Sequence, residues 1–234
     1  MYDNNEWDEP VGYDDIRFKK RRFAFITWII FAINIFVYLV EGHLSGNYTQ
    51  INPQVIATLG GVFANHLTVI QPWRLFTATW LHFSIIHIGS NMLFLLMAGR
   101  LLERRFGHLR FLVIYLISGM VGNAAAFLLS KPGTLSAGAS TALFGIMLAG
   151  VSLRWTTQDD AVARPLLTMF ILNIVTDLGS VGISVVGHLG GAVAGLILGT
   201  VLRPRDLERW YTNILIETLV AILLGMAICA ALVR

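Results

Sequence analysis

Four side chains in this chain are suited to acyl-transfer chemistry and fall near the ends of apolar segments: His87, Asn91, Ser140 and His188. Ser140 lies in Ser136-Ala137-Gly138-Ala139-Ser140-Thr141-Ala142-Leu143-Phe144-Gly145, where small neighbours leave room around its hydroxyl. Serine is a poor nucleophile until a base takes its proton, and His188 is the expected base. A tetrahedral intermediate also needs donors for its oxyanion. His87 and Asn91, four residues apart, share one helix face and can aim at one oxygen. The backbone N–H of Ser140, in a first helical turn, has no intrahelical partner and can be a further donor. No acidic residue is expected at the same depth, because Asp177 falls nearer a loop. The chemistry expected is that of a Ser–His dyad without an Asp.

The elements that must position these groups are membrane helices. The chain is 56% hydrophobic and 13% charged, with a mean hydropathy of +0.68. Soluble domains carry about 25% charged residues, so the fold class is an all-α integral membrane protein. Residues 1–22 lack apolar periodicity, and their acidic run ends in Arg17, Lys19, Lys20, Arg21 and Arg22. They read as a flexible cytosolic tail with a basic membrane-flanking cluster. Phe23 to Val40 is the first predicted membrane helix, too long for a signal-peptide core. Glu41 to Phe83 is a long amphiphilic connection, and a connection of that length is expected to have either a function or structure of its own. Ser84 can cap a second helix reaching about Leu102. A third runs over Leu109–Leu129, and Pro132-Gly133 breaks the chain before the fourth. That fourth segment, Gly138 to Leu153, spans 16 residues; at ~1.5 Å per residue it is shorter than the ~30 Å hydrocarbon core. Ser140 is therefore expected below the membrane surface. Pro165, at a first-turn position, is expected to begin a fifth helix ending near Asp177 to Gly182. Val186–Leu202 and Asn213–Val233 complete the set.

Charge placement orients the segments. With the N-terminus in the cytosol, the inner side receives the five basic residues of the tail, Arg100, Arg104, Arg105, Arg110, Arg154, Arg164, Arg203, Arg205 and Arg209. Only Arg74, Lys131 and Arg234 remain outside. The asymmetry follows the positive-inside rule and accounts for the basic isoelectric point, so nucleic acid is not an expected partner. In this topology the second, fourth and sixth segments all run inward. His87, Asn91, Ser140 and His188 then share the outer third of the membrane, where polar side chains are costly and mark function. Gly187, Gly191, Gly195 and Gly199 recur every four residues and permit close approach of the fourth and sixth helices.

Other chemistries fit less well. His82 and His87 are five apart, about 140° around a helix, and suit a shared metal poorly; no metal or other cofactor is expected. Cys229 stands alone, which excludes an internal disulfide. A small-solute transporter would show paired repeats and interrupted helices, and no such halves are visible.

The sequence resembles the rhomboid family of intramembrane serine proteases over roughly Phe23 to Leu202. The resemblance rests on motifs in order: Trp73-Arg74; His82-x4-His87-x3-Asn91; Gly138-Ala139-Ser140; and His188-Leu189-Gly190-Gly191-Ala192-Val193-Ala194-Gly195. It implies a six-helix core plus one C-terminal transmembrane helix, with a water-filled cavity open to the outside. It also implies cleavage of the transmembrane segments of other membrane proteins, in contact with membrane lipid. By the resemblance Ser140 is the nucleophile and His188 the base, His87 and Asn91 serve the oxyanion, and Trp73 and Arg74 belong to a loop in the outer leaflet. His82 and Gly138 belong to the same motifs. This chain departs from the pattern twice. Thr141 follows the serine where the family often has Gly, and Phe144 stands where Tyr often packs on the histidine.

The expected organisation is a cytosolic tail (1–22), a six-helix protease core (23–202), and a cytosolic loop with a seventh helix (203–234). The expected location is a bacterial plasma membrane, since no organelle-targeting segment is visible, with the site opening outward. A rhomboid-like pseudoprotease that binds transmembrane helices without cutting them is the non-enzymatic alternative; such proteins typically lack the Ser or the His.

Overall fold

The computed structural model describes residues 23–64, 71–178 and 184–202. The tail, the 203–234 segment and its seventh helix lie outside the described residues. The chain is predominantly helical. The first helix, α1 (Phe25–Ser45), is followed by α2 (Pro53–Leu59), the two-residue strand β1 (Val62–Phe63), and α3 (Trp73–Thr77). A 3-10 turn, Ala78–Trp80, leads towards α4 (Ile85–Phe94), which continues through a π-helical turn, Leu95–Gly99, into α5 (Arg100–Phe106). Then come α6 (His108–Leu129), β2 (Leu135–Ser136), α7 (Ser140–Val151), the single turn α8 (Leu153–Thr156), α9 (Asp160–Leu178) and α10 (Val185–Val201). Among the described residues, Phe25–Ser45, Ile85–Phe106 and His108–Leu129 are long and apolar enough to cross a membrane, and Val185–Val201 is a shorter apolar helix.

At the centre stands α7. Every residue from Thr141 to Met147 is buried, as are Ala149 to Val151, and a helix apolar all round belongs inside a bundle. It packs against α6, α9 and α10. Outward-facing Phe36, Leu39, Leu93, Met97, Leu128, Leu129, Val193 and Ile197 are all more than half exposed. Apolar surface on that scale is what a lipid-facing protein presents and what a soluble monomer avoids.

Contacts at the helix ends show the alternation of the bundle. At one end the Glu103 carboxyl accepts the backbone N–H groups of Ile26 (3.0 Å) and Thr27 (2.8 Å) and the Thr27 hydroxyl (2.6 Å). It thereby satisfies helix-start donors of α1 that have no carbonyl partner of their own. Arg105 pairs with Asp159 at 2.6 Å at the same end. At the other end the Ser130 and Ser184 hydroxyls, after α6 and before α10, lie 3.2 Å apart. The starts of α4, α7 and α10 gather there with the end of α9.

Three boundaries differ from the sequence expectation. The first helix runs past Val40 to Ser45 and carries Glu41, fully buried, in its last turns; it ends where Gly46 turns left-handed (φ 65°). A polar residue reads as an end to hydropathy, but a buried carboxyl with partners does not break a helix. The fifth predicted helix begins at Asp160 rather than Pro165, which lies within α9. Its turn is started by the Asp159 carbonyl, which accepts from Val162 (3.2 Å) and Ala163 (3.0 Å), and the proline costs one hydrogen bond further along. The second predicted helix continues four residues beyond Leu102, to Phe106. The 41–83 connection contains α2, β1 and α3.

Candidate active site

Ser140 is the first residue of α7, and the approach to it is rigidly built. Strand β2 pairs antiparallel with β1, Val62 opposite Ser136 and Phe63 opposite Leu135. Gly138 then donates its N–H to the Ala78 carbonyl (2.9 Å) and adopts φ 141°, a conformation that disfavours any side chain. A Cβ there would sit 2.9 Å from His87 Nε2 and 3.4 Å from Ser140 Oγ. Gly138 is thus the space across which the His87 ring faces the serine hydroxyl. Ser140 itself is partly exposed, while its neighbours Ala139 and Thr141 are buried.

His188 lies in the first turn of α10, whose start is capped by the Ser184 hydroxyl accepting from Gly187 N–H (3.2 Å). Its Nε2 is 2.7 Å from Ser140 Oγ. The Phe144 ring, one turn along α7, stacks on the imidazole with centroids 4.3 Å apart and planes 13° apart. The helices come this close because of the glycine ridge. A Cβ on Gly191 would run into the Thr141 carbonyl, and one on Gly195 into the Gly145 backbone.

The expectation of no acidic neighbour is overturned. Asp177, near the end of α9, places Oδ2 2.6 Å from His188 Nδ1, and both side chains are about nine-tenths buried. An unpaired carboxyl is costly at membrane depth, but Asp177, paired with an imidazole, is not an isolated charge. The signal available in the sequence was the acid itself, eleven residues before the histidine.

On the other side of the serine, Ser84 caps α4 by accepting from His87 N–H (3.2 Å). The Phe83 N–H approaches His87 Nδ1 at 3.5 Å, an arrangement that favours the proton on Nε2, the nitrogen facing Gly138. Asn91, one turn on, is buried, and its Nδ2 has no hydrogen-bond partner among the described residues. His82 lies edge-on to His87, ring centroids 5.1 Å apart, fully buried with both ring nitrogens unpartnered among the described residues. Burial, and next the neighbouring His87, holds its pKa well below the ordinary histidine value.

The segment leading into α4 is fastened from α1, a feature sequence reasoning missed. The Glu41 carboxyl accepts His82 N–H at 3.0 and 3.2 Å. Beside it, Ile51 N–H donates to the Phe83 carbonyl (2.8 Å) and Ile85 N–H to the Thr49 carbonyl (3.2 Å). Among the described residues, no hydrogen bond brings Trp73 or Arg74 into this cluster. Arg74 ties α3 to the Ala57 (2.6 Å) and Gly61 (2.9 Å) carbonyls, and Trp73 is exposed. The Thr141 hydroxyl donates to the Gly119 carbonyl (3.4 Å).

Comparison with known proteins bears on the same region. Residues 69–205 match the Rhomboid domain, more than half of the 234 residues. Rhomboid-like protease 3 of Toxoplasma gondii is 36% identical over 80% of this chain and 73% of its own length. RHOMBOID-like protein 1 of Arabidopsis thaliana is 39% identical over 58% of this chain and 36% of its own. Rhomboid protease GluP of Bacillus subtilis is 28% identical over 75% of this chain and 34% of its own. This chain therefore spans about a third of the length of the latter two. The domain match contains Ser140 and His188 together with His87 and Asn91. The chain is a multi-pass membrane protein and belongs to the rhomboid family.

Proposed function

We propose that this protein is an intramembrane serine endopeptidase that cuts transmembrane segments of other membrane proteins. The observation that carries the reading is the 2.7 Å contact between His188 Nε2 and Ser140 Oγ, at the ends of two apolar helices. In the proposed reaction Ser140 Oγ attacks the scissile carbonyl carbon while its proton passes to His188 Nε2. The carbonyl oxygen becomes the oxyanion, held by the His87 ring N–H, Asn91 Nδ2 and the Ser140 backbone N–H. Collapse expels the amine, which takes the proton from His188 and leaves an acyl-enzyme on Ser140. Water then attacks the ester, giving its proton to His188, and collapse returns that proton to Oγ and frees the acid.

The core of the enzyme is residues 23–202, with 1–22 and 203–234 as flanking segments. The site opens to the outside of the plasma membrane and the N-terminus is cytosolic; the support for this is the concentration of Arg and Lys in alternate connections. Trp73 and Arg74, in the connection between the first two spanning helices, then lie towards the outer leaflet. A fluorophosphonate probe tests the reading in membranes. Labelling of the wild type that disappears in Ser140→Ala and falls at least tenfold in His188→Ala supports it. A wild type that stays unlabelled, or labelling that survives Ser140→Ala, contradicts it and favours a helix-binding pseudoprotease.

A further inference from the structure

We infer that Asp177 is a positioning residue for catalysis, selecting both the tautomer and the ring orientation of His188. This rests on the reading of Ser140 and His188 as nucleophile and base. The remaining contacts of His188 leave both choices open. Stacking on Phe144 fixes the plane of the imidazole, but a half-turn about Cβ–Cγ keeps the plane and exchanges the nitrogen positions for carbons. The Ser140 hydroxyl does not decide the tautomer, because it can donate to a bare Nε2 or accept from a protonated one. Only the second arrangement of each pair is unproductive: Nε2 must face Ser140 and must carry no proton if it is to take one.

An ionised carboxylate supplies what is missing, since it only accepts. With Oδ2 2.6 Å from Nδ1, Asp177 requires the proton on Nδ1 and holds that nitrogen towards α9, leaving Nε2 bare and 2.7 Å from Ser140 Oγ. When Nε2 takes the serine proton, the resulting imidazolium lies between Ser140 Oγ and the carboxylate. Asp177 stays ionised throughout and its negative charge offsets the positive charge on the ring. The bland alternative is that the pair merely ties the end of α9 to the start of α10. A tie alone would be served by any hydrogen-bonding partner of similar size, and this distinguishes the two roles. An asparagine could bond to Nδ1 through its amide N–H, which would keep a tie between the helices but select the wrong tautomer.

The experiment compares wild type, Asp177→Asn and Asp177→Ala in cleaving a tagged single-span substrate in liposomes, with thermal stability recorded for each. Expected is a loss of 100-fold or more in kcat for Asp177→Asn with KM within threefold and little change in melting temperature. Activity of Asp177→Asn within threefold of wild type overturns the inference. Should either variant fold poorly, nitrogen-15 histidine spectra of the wild type decide. A neutral His188 protonated on Nδ1 supports the inference, and one protonated on Nε2 overturns it. Failure of the underlying protease reading is recognised separately, as wild-type cleavage no greater than that of Ser140→Ala.

Discussion

Gly195 of α10 lies against the backbone of Gly145 in α7 with no space for even one added carbon. Because His188 stands two turns before Gly195 on the same helix, this contact sets how near the imidazole comes to Ser140. Gly195→Val therefore destabilises the protein by about 1–3 kcal/mol or more, since the obstruction is backbone and cannot rotate away. Gly89, whose added Cβ would meet nothing within 4 Å, is the control. Gly89→Ala leaves the thermal midpoint unchanged or raised, and melting in detergent reads both.

Phe144 is the side chain on which the imidazole rests, and it also meets Phe170 of α9 edge-on with centroids 5.6 Å apart. Removing the ring in Phe144→Ala forfeits about 0.5–1.5 kcal/mol of aromatic contact beyond buried area. The expected result is a fall in kcat of roughly two- to tenfold. Phe144→Tyr keeps the stack and should stay within about threefold of wild type. Steady-state cleavage kinetics separate the two.

Glu103 acts far from the chemistry. Its substitution by alanine leaves the Ile26 and Thr27 donors without their partner. Each buried orphan costs about 1–3 kcal/mol, so Glu103→Ala melts at a markedly lower temperature. Probe labelling of Ser140 per folded molecule is expected to remain at the wild-type level.

His82 predicts a pH effect whose sign follows from its burial. Its folded-state pKa is depressed, so the folded protein resists the proton that the unfolded chain accepts. Stability attributable to this residue is full above about pH 6.5, the ordinary histidine value, and is lost as pH falls below it. Wild type should lose more stability between pH 7 and pH 5 than His82→Gln. Equal losses would show that the imidazole titrates freely in the folded state.

Much of this arrangement was legible in the residues themselves. The spacing of His87 and Asn91, the cap at Ser84, and the four-residue repeat of glycines before and after His188 all follow from helical geometry, which sequence carries directly. The early end expected for the first helix, the late start expected for the fifth and the expectation of no acid have a common cause. Hydropathy treats a polar or proline residue as a boundary because it cannot see partners distant in sequence. Glu41 is tolerated through His82 N–H, Glu103 through the start of α1, and Asp177 through His188. Each cost is offset by a contact that exists only after the helices pack.

The Ser140–His188 contact is expected to cut peptide bonds inside a membrane. The direct measurement is proteolysis of a purified, tagged single-span protein reconstituted in liposomes with wild type, Ser140→Ala or His188→Ala. The prediction is a discrete fragment produced by the wild type, absent with Ser140→Ala and reduced at least 100-fold with His188→Ala. The same fragment at an undiminished rate from either variant would contradict it.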